Sequence, residues 1–404
     1  MPATGRRRSR CSWTSEPESM PVITEIEDLR RLHRRRVPRM FYDYVDVGAW
    51  TGGTYRANRA DFERILFRQR VARNIEARTL ATTMLGQPVS MPLALAPVGL
   101  LGMQHPDGEI YAARAAQAAG VPFTLSTMSM CSLEDIAQAT GAPFWFQLYT
   151  LRDEEFLEDI LDRARRAGVT ALVLTLDLTI QGQRHKDLKN RMTAPPRLTL
   201  PNLIDIALHP RWALGMLGTR RRSFGNIVGH ARGVESLGDL MDWTARQFDQ
   251  QLDWGRVEQI IRKWGGPVIL KGINDPEDAQ RALDTGCDAI LVSNHGGRQL
   301  DGAPSTIRAL PAIRRAVGPD FPLYLDSGIQ SGQEALKAIA SGANGVFVGR
   351  AFTYGLGAMG QRGVEAALAI LRREMDITMA LCGVNDIKDF GPGCLWPDDR
   401  GNAA

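Results

Sequence analysis

Eight short apolar runs, each followed by a stretch compatible with a helix, constrain the fold of this chain more than any other feature. Each run is bounded by turn residues, as buried strands are. The runs cover residues 93–96, 122–125, 144–148, 171–176, 268–270, 289–292, 323–325 and 346–348. Helix-compatible stretches between them include 109–119, 154–167, 276–285 and 333–341. Eight consecutive strand–helix units predict an α/β fold of the TIM (β/α)8 barrel type rather than an open doubly wound sheet.

Polar side chains and glycines follow the predicted strands at their C-terminal ends. In a barrel of parallel strands these ends meet at one face, where the catalytic residues of such barrels lie. An ordinary solvent-exposed rim would explain polar residues at some strand ends. It does not explain why hydroxyls, amides and single cations recur across the eight. The residues are Pro97, Val98 and Gly99, Ser126, Gln147 and Tyr149, Thr175 and Asp177, Lys271, Ser293 and His295, Asp326 and Gly328, and Gly349 and Arg350. The pattern therefore predicts an active site at this face.

The loop at residues 293–305, after the sixth predicted strand, carries the most specific chemistry in the chain. His295 can accept a proton near neutral pH, and Arg298 can donate two parallel hydrogen bonds to a carboxylate. Gly296 and Gly297 allow a sharp turn or a close approach to a ligand. Taken alone, the loop also fits a glycine-rich turn with an incidental histidine. The polar ends of the other strands favour the active-site interpretation.

The sequence of this loop, SNHGGRQLDGAPS, closely resembles the active-site signature of the FMN-dependent L-2-hydroxy-acid dehydrogenases and oxidases. The chain follows that family's pattern from about Ile23 to Phe390, and its segment LSTMSMC at 125–131 is most similar to bacterial respiratory L-lactate dehydrogenases. The resemblance implies an oxidoreductase that converts an L-2-hydroxy acid, expected to be L-lactate, into the 2-oxo acid. Electrons would pass to a quinone or another acceptor. The alternative is an oxidase similar to glycolate and lactate oxidases, which uses O2 and releases H2O2.

The resemblance also implies an FMN site at the strand ends. Lys271 would stabilise the negative charge of reduced flavin at N1 and the C2 carbonyl. Ser293 is also among the residues implied to bind FMN. The backbone of Pro97, Val98 and Gly99 would lie against the ring near N5 and C4a, and Ser126, Gln147 and Thr175 would contact the pyrimidine edge. The phosphate and ribityl chain would be bound by Asp326, Ser327, Gly328, Ile329, Gln330, Gly349 and Arg350.

For the substrate, the resemblance implies a carboxylate clamp made of Arg184 and Arg298. Tyr44 would be supplied to the clamp from outside the barrel, and Tyr149 would contact the substrate hydroxyl. From the residues alone, Tyr44 fits core packing better than a ligand contact.

The predicted catalytic residues are His295, Asp177, Tyr149 and Lys271. His295 would take the proton of the 2-hydroxy group and would itself contact the substrate. Asp177 would bind the other side of the imidazole, where a carboxylate favours the imidazolium and makes His295 a better base.

Several positions depart from the family's usual pattern. Gln330 stands where an arginine is common, which removes a charge from the phosphate side and predicts weaker FMN binding. Val98 replaces a threonine, which removes a hydroxyl group. Met128 stands where glycolate oxidases carry a tryptophan, so the pocket for the substrate side chain should differ. Gly99 stands where oxidases usually carry alanine, which favours a dehydrogenase.

Composition and charge narrow the function class. The 404 residues are 44% hydrophobic and 23% charged, as in a soluble globular enzyme. A net charge of +4 without an aromatic-interleaved basic stripe argues against a nucleic-acid partner. The five cysteines contain no C-x-x-C pair, so we expect reduced thiols, no metal and a cytoplasmic location. By resemblance, the chain would form a homo-oligomer, a tetramer.

A long insertion at residues 178–255 separates the fourth predicted strand from the next helix. Its segment 198–217 is apolar and aromatic and is flanked by Arg197, Arg211 and the arginines at 220–222. Such a segment suits peripheral binding to the inner face of the cytoplasmic membrane; a mobile lid or a subunit contact is the alternative. No apolar run is long enough to span a bilayer.

The barrel is predicted as a single domain at residues 21–390, with an N-terminal helical extension that includes a helix at 26–36. Residues 1–20 are polar and basic and lack the apolar core of a secretory signal, so we expect a disordered tail. A start at Met20 would also fit. Residues 391–404 are predicted to form a second tail.

Three other functions compete with the main hypothesis. The segment GLGAMG at 355–360 matches a dinucleotide fingerprint, but it follows no strand directly and precedes no further strand–helix unit, so we predict helix packing instead. A flavin-dependent isomerase acting on isopentenyl diphosphate would not need two arginines for a carboxylate. A flavoprotein that only binds ligands would not need the base.

Overall fold

A computed structural model describes residues 22–192, 199–234 and 249–397, and its centre is a barrel of eight parallel strands. The strands pair in the order β3-β10-β9-β8-β7-β6-β5-β4, and a parallel bridge between Leu95 and Phe123 joins the two ends of the sheet. Their bounds are β3 Leu93–Leu95, β4 Thr124–Ser126, β5 Phe144–Tyr149, β6 Val169–Thr175, β7 Val268–Ile273, β8 Ala289–Val292, β9 Leu323–Leu325 and β10 Gly345–Val348. The predicted TIM barrel and all eight predicted strands are confirmed.

Helices surround the barrel and form an extension before it. The extension contains α1 Ile26–Arg36, α2 Arg39–Val45 and α3 Gly53–Glu63. Short helices α4 Leu101–Gln104 and α8 His185–Lys189 follow β3 and β6, and α9 Leu200–Ala207 and α10 Pro210–Gly218 lie in the insertion. The outer helices are α5 Gly108–Ala119, α6 Leu133–Thr140, α7 Glu154–Arg166, α11 Trp254–Trp264, α12 Pro276–Leu283, α13 Thr306–Val317, α14 Gly332–Ala340, α15 Arg350–Met359 and α16 Gln361–Cys382. Single 3-10 turns cover His295–Gly297, Ile387–Asp389 and Pro392–Cys394.

The strands are buried on both faces, which explains why the sequence shows continuous apolar runs rather than alternation. Trp145, Val173, Ile269, Leu291 and Phe347 point into the barrel and pack together. Their neighbours along each strand point outward and pack under the helices in a separate, larger core. A barrel filled in this way is a solid platform, so function is confined to its ends.

A small hairpin, β1 Thr82–Met84 and β2 Gln87–Val89, closes the N-terminal end of the barrel and was not predicted from the sequence. Met84 and Val89 pack against the side chains inside the barrel. The backbone N–H of Leu85, in the turn, donates a hydrogen bond to the Tyr324 hydroxyl (2.9 Å). Each of these strands has three residues, which is too few for a strand pattern to be recognised in the sequence. With this end closed, the opposite end is the accessible one.

The N-terminal extension is fixed to the barrel through the buried carboxylate of Asp46. Asp46 accepts hydrogen bonds from the hydroxyls of Tyr42, Tyr55 and Tyr354, each at 2.9 Å, and from Arg30 at 2.8 Å. Although burial opposes it, Arg30 lowers the pKa of Asp46 below its ordinary value. Asp46 therefore stays charged and fixes the segment that follows α2 beside the C-terminal face of the barrel.

The glycines at 355–360 serve helix packing, as predicted, and not dinucleotide binding. They lie on α15, where a β-carbon on Gly355 would stand 2.2 Å from the carbonyl oxygen of Gly363 on α16. A β-carbon on Gly357 would stand 2.1 Å from the His33 ring. Gly355 therefore lies against a backbone and Gly357 against a buried ring, and no side chain fits at either position.

Parts of the predicted insertion and both ends of the chain lie outside the described residues, including the predicted tail at 1–20 and Cys11. At the C-terminal end, the described residues pair with the body of the protein, because Leu395 forms an antiparallel bridge with Phe67. The cysteines within the described ranges are buried and free. None of the helices in those ranges combines the length and the apolar character that crossing a bilayer requires.

Candidate active site

A cavity of about 760 Å³ opens at the C-terminal face of the barrel, where the sequence places the site. Most of the predicted residues line it: Tyr44, Pro97, Val98, Gly99, Tyr149, Arg184, Lys271, His295, Arg298, Asp326, Ser327, Gly328, Ile329, Gln330, Gly349 and Arg350. The others adjoin these lining residues and hydrogen-bond to or pair with residues of the site: Ser126, Gln147, Thr175, Asp177 and Ser293. The fold thus brings the whole predicted set to one place.

His295 and Asp177 form a hydrogen-bonded pair at the ends of β8 and β6. The distance from His295 Nδ1 to Asp177 Oδ1 is 2.8 Å, which leaves Nε2 as the ring nitrogen available for other chemistry. His295 has a φ of 56°, a conformation uncommon for a residue with a side chain, and its N–H donates to Ser293 Oγ. Burial lowers the pKa of His295 below 6.5, although Asp177 opposes the shift. The imidazole is therefore neutral at pH 7 and can accept a proton.

Lys271, at the end of β7, is a buried cation beside this pair. Its Nζ donates to Ser293 Oγ at 2.8 Å and lies 3.4 Å from Asp326 Oδ2 and 4.0 Å from Asp177 Oδ2. Burial alone would lower the pKa of Lys271, but the two carboxylates raise it above its ordinary value. The side chain therefore keeps its charge and presents it to the cavity.

Two guanidinium groups, of the buried Arg184 and the partly buried Arg298, lie close to each other and to His295. Burial and the charge of Arg184 lower the pKa of Arg298 to about 10. Arg184 forms a salt bridge with Asp187, with 3.3 Å between Nη1 and Oδ2. The Nε of Arg184 donates a hydrogen bond to the carbonyl oxygen of Arg298. Two like charges held together in a cavity favour an anion between them, and the planar guanidinium suits a carboxylate.

Two tyrosines complete this anion site. The guanidinium of Arg298 lies 4.7 Å from the centre of the Tyr44 ring and donates to the Tyr44 carbonyl oxygen. Burial raises the pKa of Tyr149, so its hydroxyl stays protonated and can donate a hydrogen bond. Tyr44 comes from α2, outside the barrel, as the sequence interpretation required.

Gln299 and Gly182 hold the two arginines in position, and neither was predicted. The Gln299 side-chain amide donates to the carbonyl oxygens of Asp177 (2.9 Å) and Ile180 (2.8 Å). A β-carbon on Gly182 would stand 2.7 Å from the Arg298 carbonyl oxygen, so the two loops touch through their backbones. Gln299 lies in the loop at 293–305 and Gly182 in the predicted insertion, so both segments were recognised. The role of the two residues depends on a contact between loops 117 residues apart, in which the Gly182 N–H donates to the Gln299 side chain.

The polar atoms at the ends of β4, β5 and β6 fit the edge of a flavin ring. Gln147 Nε2 and Thr175 Oγ1 are buried and have no hydrogen-bond partner among the described residues. The other amide atom of Gln147 accepts from Ser126 Oγ at 3.0 Å, which fixes the orientation of the amide. Buried donors without a partner are costly, and a ring with carbonyl and ring-nitrogen acceptors would satisfy them. The residues present therefore fit the expected cofactor.

The loop Asp326–Gln330 has the shape expected for a phosphate and ribityl site. Ser327 and Gly328 have φ values of 74° and 100°, so the backbone turns sharply after β9. Ser327 Oγ accepts a hydrogen bond from the Gly296 N–H and donates one to Asp326, which joins this loop to the His295 loop. The fit is less simple at Arg350, whose three guanidinium nitrogens donate to the backbone carbonyl oxygens of Val45 and Val47 in the extension and of Gly296 in the His295 loop.

Apolar side chains line the remaining part of the cavity. They include Leu100, Met128, Leu178, Leu188, Met192 and Phe224. Of these, only Met128 was singled out from the sequence, because the others come from the insertion and from loops whose approach depends on the fold. This wall suits a small apolar substituent on a carboxylate bound by the arginines.

Comparisons with known proteins find similar proteins over nearly the whole chain. A family model described as FMN-dependent dehydrogenase matches residues 33–397. The L-lactate dehydrogenase of Caulobacter sp. (strain K31) is 44% identical over 384 residues, which are 94% of this chain and 100% of the relative. Among solved structures, the monotopic membrane protein (S)-mandelate dehydrogenase has a TM-score of 0.89 at 36% identity, covering 93% of this chain and 100% of its own. Mandelate oxidase with bound (S)-2-phenylpropionate has a TM-score of 0.77 at 35% identity, covering 93% and 98%.

Proposed function

The chain belongs to the FMN-dependent dehydrogenase family, and we propose that it oxidises L-lactate to the 2-oxo acid with FMN as its cofactor. The observation that carries the choice of a 2-hydroxy acid is the position of one neutral, carboxylate-bound histidine beside two arginines, Arg184 and Arg298, that line the same cavity. The similarity to L-lactate dehydrogenases supports a small substrate side chain.

The protein residues have separate tasks in this reaction. Arg184 and Arg298 bind the substrate carboxylate, and Tyr149 donates a hydrogen bond to the 2-hydroxy group. His295 accepts the hydroxyl proton at Nε2, and Asp177 stabilises the imidazolium that forms. FMN, when bound, would supply the acceptor for the hydrogen on C2 of the substrate and the two electrons of that bond. Lys271 places a positive charge at the edge where negative charge gathers on reduction.

An anaerobic reduction screen tests this function. Purified yellow protein is mixed without oxygen with glycolate, L-lactate, L-mandelate or a longer 2-hydroxy acid, and the loss of flavin absorbance is followed. We expect L-lactate to bleach the flavin fastest and D-lactate to leave it oxidised. Bleaching by none of these acids would contradict the proposal and favour an isomerase or a flavoprotein that only binds ligands.

We expect slow turnover with O2 and much faster turnover with a quinone analogue or a dye. Gly99 bears on this, since a β-carbon there would stand 3.3 Å from the Met128 carbonyl oxygen and 3.7 Å from the Tyr44 hydroxyl oxygen. An alanine at position 99 therefore fits after a small shift of its neighbours, and its methyl group would change the cavity wall beside the expected flavin ring. Gly99→Ala should raise the ratio of O2-dependent to dye-dependent turnover. Release of H2O2 by the unmodified enzyme at its best dye-linked rate would make it an oxidase.

The helix pair α9–α10 is the proposed peripheral membrane contact, and through it the enzyme would pass electrons to a membrane quinone. Leu200, Leu208, Leu214 and Leu217 on this pair are 68–72% exposed. Trp212 stacks on Phe41 of α2 at 5.0 Å, so the pair is anchored on one side and apolar on the other. Arginines at 211, 220 and 222 are exposed next to the leucines, whereas Arg197 lies outside the described residues.

Replacing these four leucines by serine should reduce sedimentation with anionic vesicles while leaving the flavin bound. The physical reason is the loss of apolar area that enters the interface, with the charge of the protein unchanged. A matched control replaces four apolar residues exposed elsewhere on the protein, Leu66 (59%), Val71 (80%), Ile377 (46%) and Leu381 (54%), by serine. Equal vesicle binding by the α9–α10 variant and the control would move the membrane contact elsewhere or remove it.

A further inference from the structure

The loop that should receive the FMN phosphate has no free cation of its own. Gln330 is neutral, and its backbone N–H is held by the carboxylate of Glu334 at 2.6 Å. Arg350 donates from its three guanidinium nitrogens to the carbonyl oxygens of Val45, Val47 and Gly296 at 2.9–3.0 Å. Its guanidinium also lies 4.6 Å from the centre of the Tyr55 ring. Three of its five N–H donors are thus bound to backbone carbonyl oxygens, two of them in the extension and one in the His295 loop.

Helix α3 of the extension lies directly against this loop. A β-carbon on Gly328 would stand 2.1 Å from the carbonyl oxygen of Asn58, so the two backbones are in contact. Asn58 exchanges two side-chain hydrogen bonds with Asn294, of 2.9 and 2.7 Å, which fixes α3 to the end of β8. Lys337 donates to the carbonyl oxygen of Phe62 and fixes the last turn of the same helix. The position of α3 at the loop is therefore firmly determined.

Arg59 follows Asn58 on this helix and lines the same cavity as Gly328 and Gln330. It forms no ion pair with any residue in the described ranges. It lies near Glu334, since its charge opposes the effect of burial, which raises the pKa of that carboxyl group. Arg59 is exposed to solvent on its other side. It is thus a cation at this end of the cavity whose charge acts on Glu334 but which forms no salt bridge in the described part of the chain.

We propose that Arg59 binds the FMN phosphate and supplies the charge that Gln330 does not. The inference rests on the proposed function only in requiring that FMN be the cofactor. Because Arg59 is at the surface, its contribution should be weakened by salt. The phosphate would then be held from two sides, by the backbone of the loop after β9 and by the side chain from α3.

The test compares FMN with riboflavin, which lacks the phosphate, by fluorescence titration of the apoprotein. Arg59→Ala should weaken FMN binding roughly tenfold and leave riboflavin binding unchanged. Raising the salt concentration should weaken FMN binding to the unmodified protein more than to this variant. The control is Arg56→Ala, because Arg56 lies on the same helix, is exposed, and donates to the Thr51 carbonyl oxygen. A second variant, Arg59→Ala with Gln330→Arg, should recover FMN binding.

Two results would overturn the inference. One is an FMN dissociation constant that does not change in Arg59→Ala. The other is an equal loss of FMN and riboflavin binding, which would mean that Arg59 supports the fold of the loop. If the apoprotein of a variant is unstable, the rate of flavin release on dilution of the loaded enzyme gives the same comparison. An unmodified protein that binds no flavin would contradict the proposed function instead, and the two failures are therefore distinct.

Discussion

His295→Gln should yield yellow, FMN-loaded protein whose reduction by L-lactate is slower by about 10²-fold or more, the scale of a lost general base. Glutamine keeps a polar side chain of similar length beside Asp177, so the loop need not collapse. It has no basic nitrogen, however, and the hydroxyl proton has no acceptor in its place. Stopped-flow measurement of flavin bleaching without oxygen gives the rate. A rate close to that of the unmodified enzyme would remove His295 from the reaction.

The pH dependence of kcat/KM gives an independent check on the same residue. Because burial lowers the pKa of His295 below 6.5, the base is available at neutral pH and is lost as the imidazole becomes protonated in acid. We expect kcat/KM to rise with pH through that pKa and then to level off. Asp177→Asn removes the charge that opposes the shift, so the rise should move to lower pH while the maximum rate falls. An unchanged profile in Asp177→Asn would argue against the pair acting together.

Much of this site could be predicted because the fold determines where strand ends go. Once eight buried strands are recognised, Lys271, His295 and Asp326 must converge, since Lys271 lies in the C-terminal half of β7, His295 lies three residues after the end of β8 and Asp326 directly follows β9. The chemistry of the three side chains then indicates a site even without a known family. The family resemblance added the roles of Tyr44 and Arg184, which lie outside the strand ends.

Features that depend on contacts between distant segments could not be predicted in this way. Gln299 and Gly182 act through loops that meet only in the folded protein, and Arg59 lies on a helix that no strand end identifies. The direction of the Arg350 side chain is a further example, because it depends on the carbonyl oxygens of the extension. The sequence places Arg350 at the end of a strand, but only the packing shows where its charge is directed.

Arg298→Lys should raise KM and lower kcat/KM for L-lactate, at a cost of roughly 1.5–3 kcal/mol for a lost charge-assisted contact. An ammonium group cannot donate two parallel hydrogen bonds to a carboxylate. Burial beside Arg184 already lowers the pKa of Arg298 to about 10. A lysine there begins from a lower intrinsic pKa and would lose its proton more readily. The variant's kcat/KM should therefore also fall as the pH rises above neutrality, whereas the unmodified enzyme should keep its activity.

Arg314→Lys is the matched control for this substitution. Arg314 is half-buried and donates to the carbonyl oxygens of Gly342 and Gly318, away from the cavity. Its replacement should lower stability without changing KM, because it removes hydrogen bonds of the fold and none of the site. The two variants together separate a contact with the substrate from a general effect of exchanging arginine for lysine. If Arg298→Lys changes neither KM nor kcat, Arg298 does not bind the substrate carboxylate, and its position beside Arg184 would have to be explained by another role.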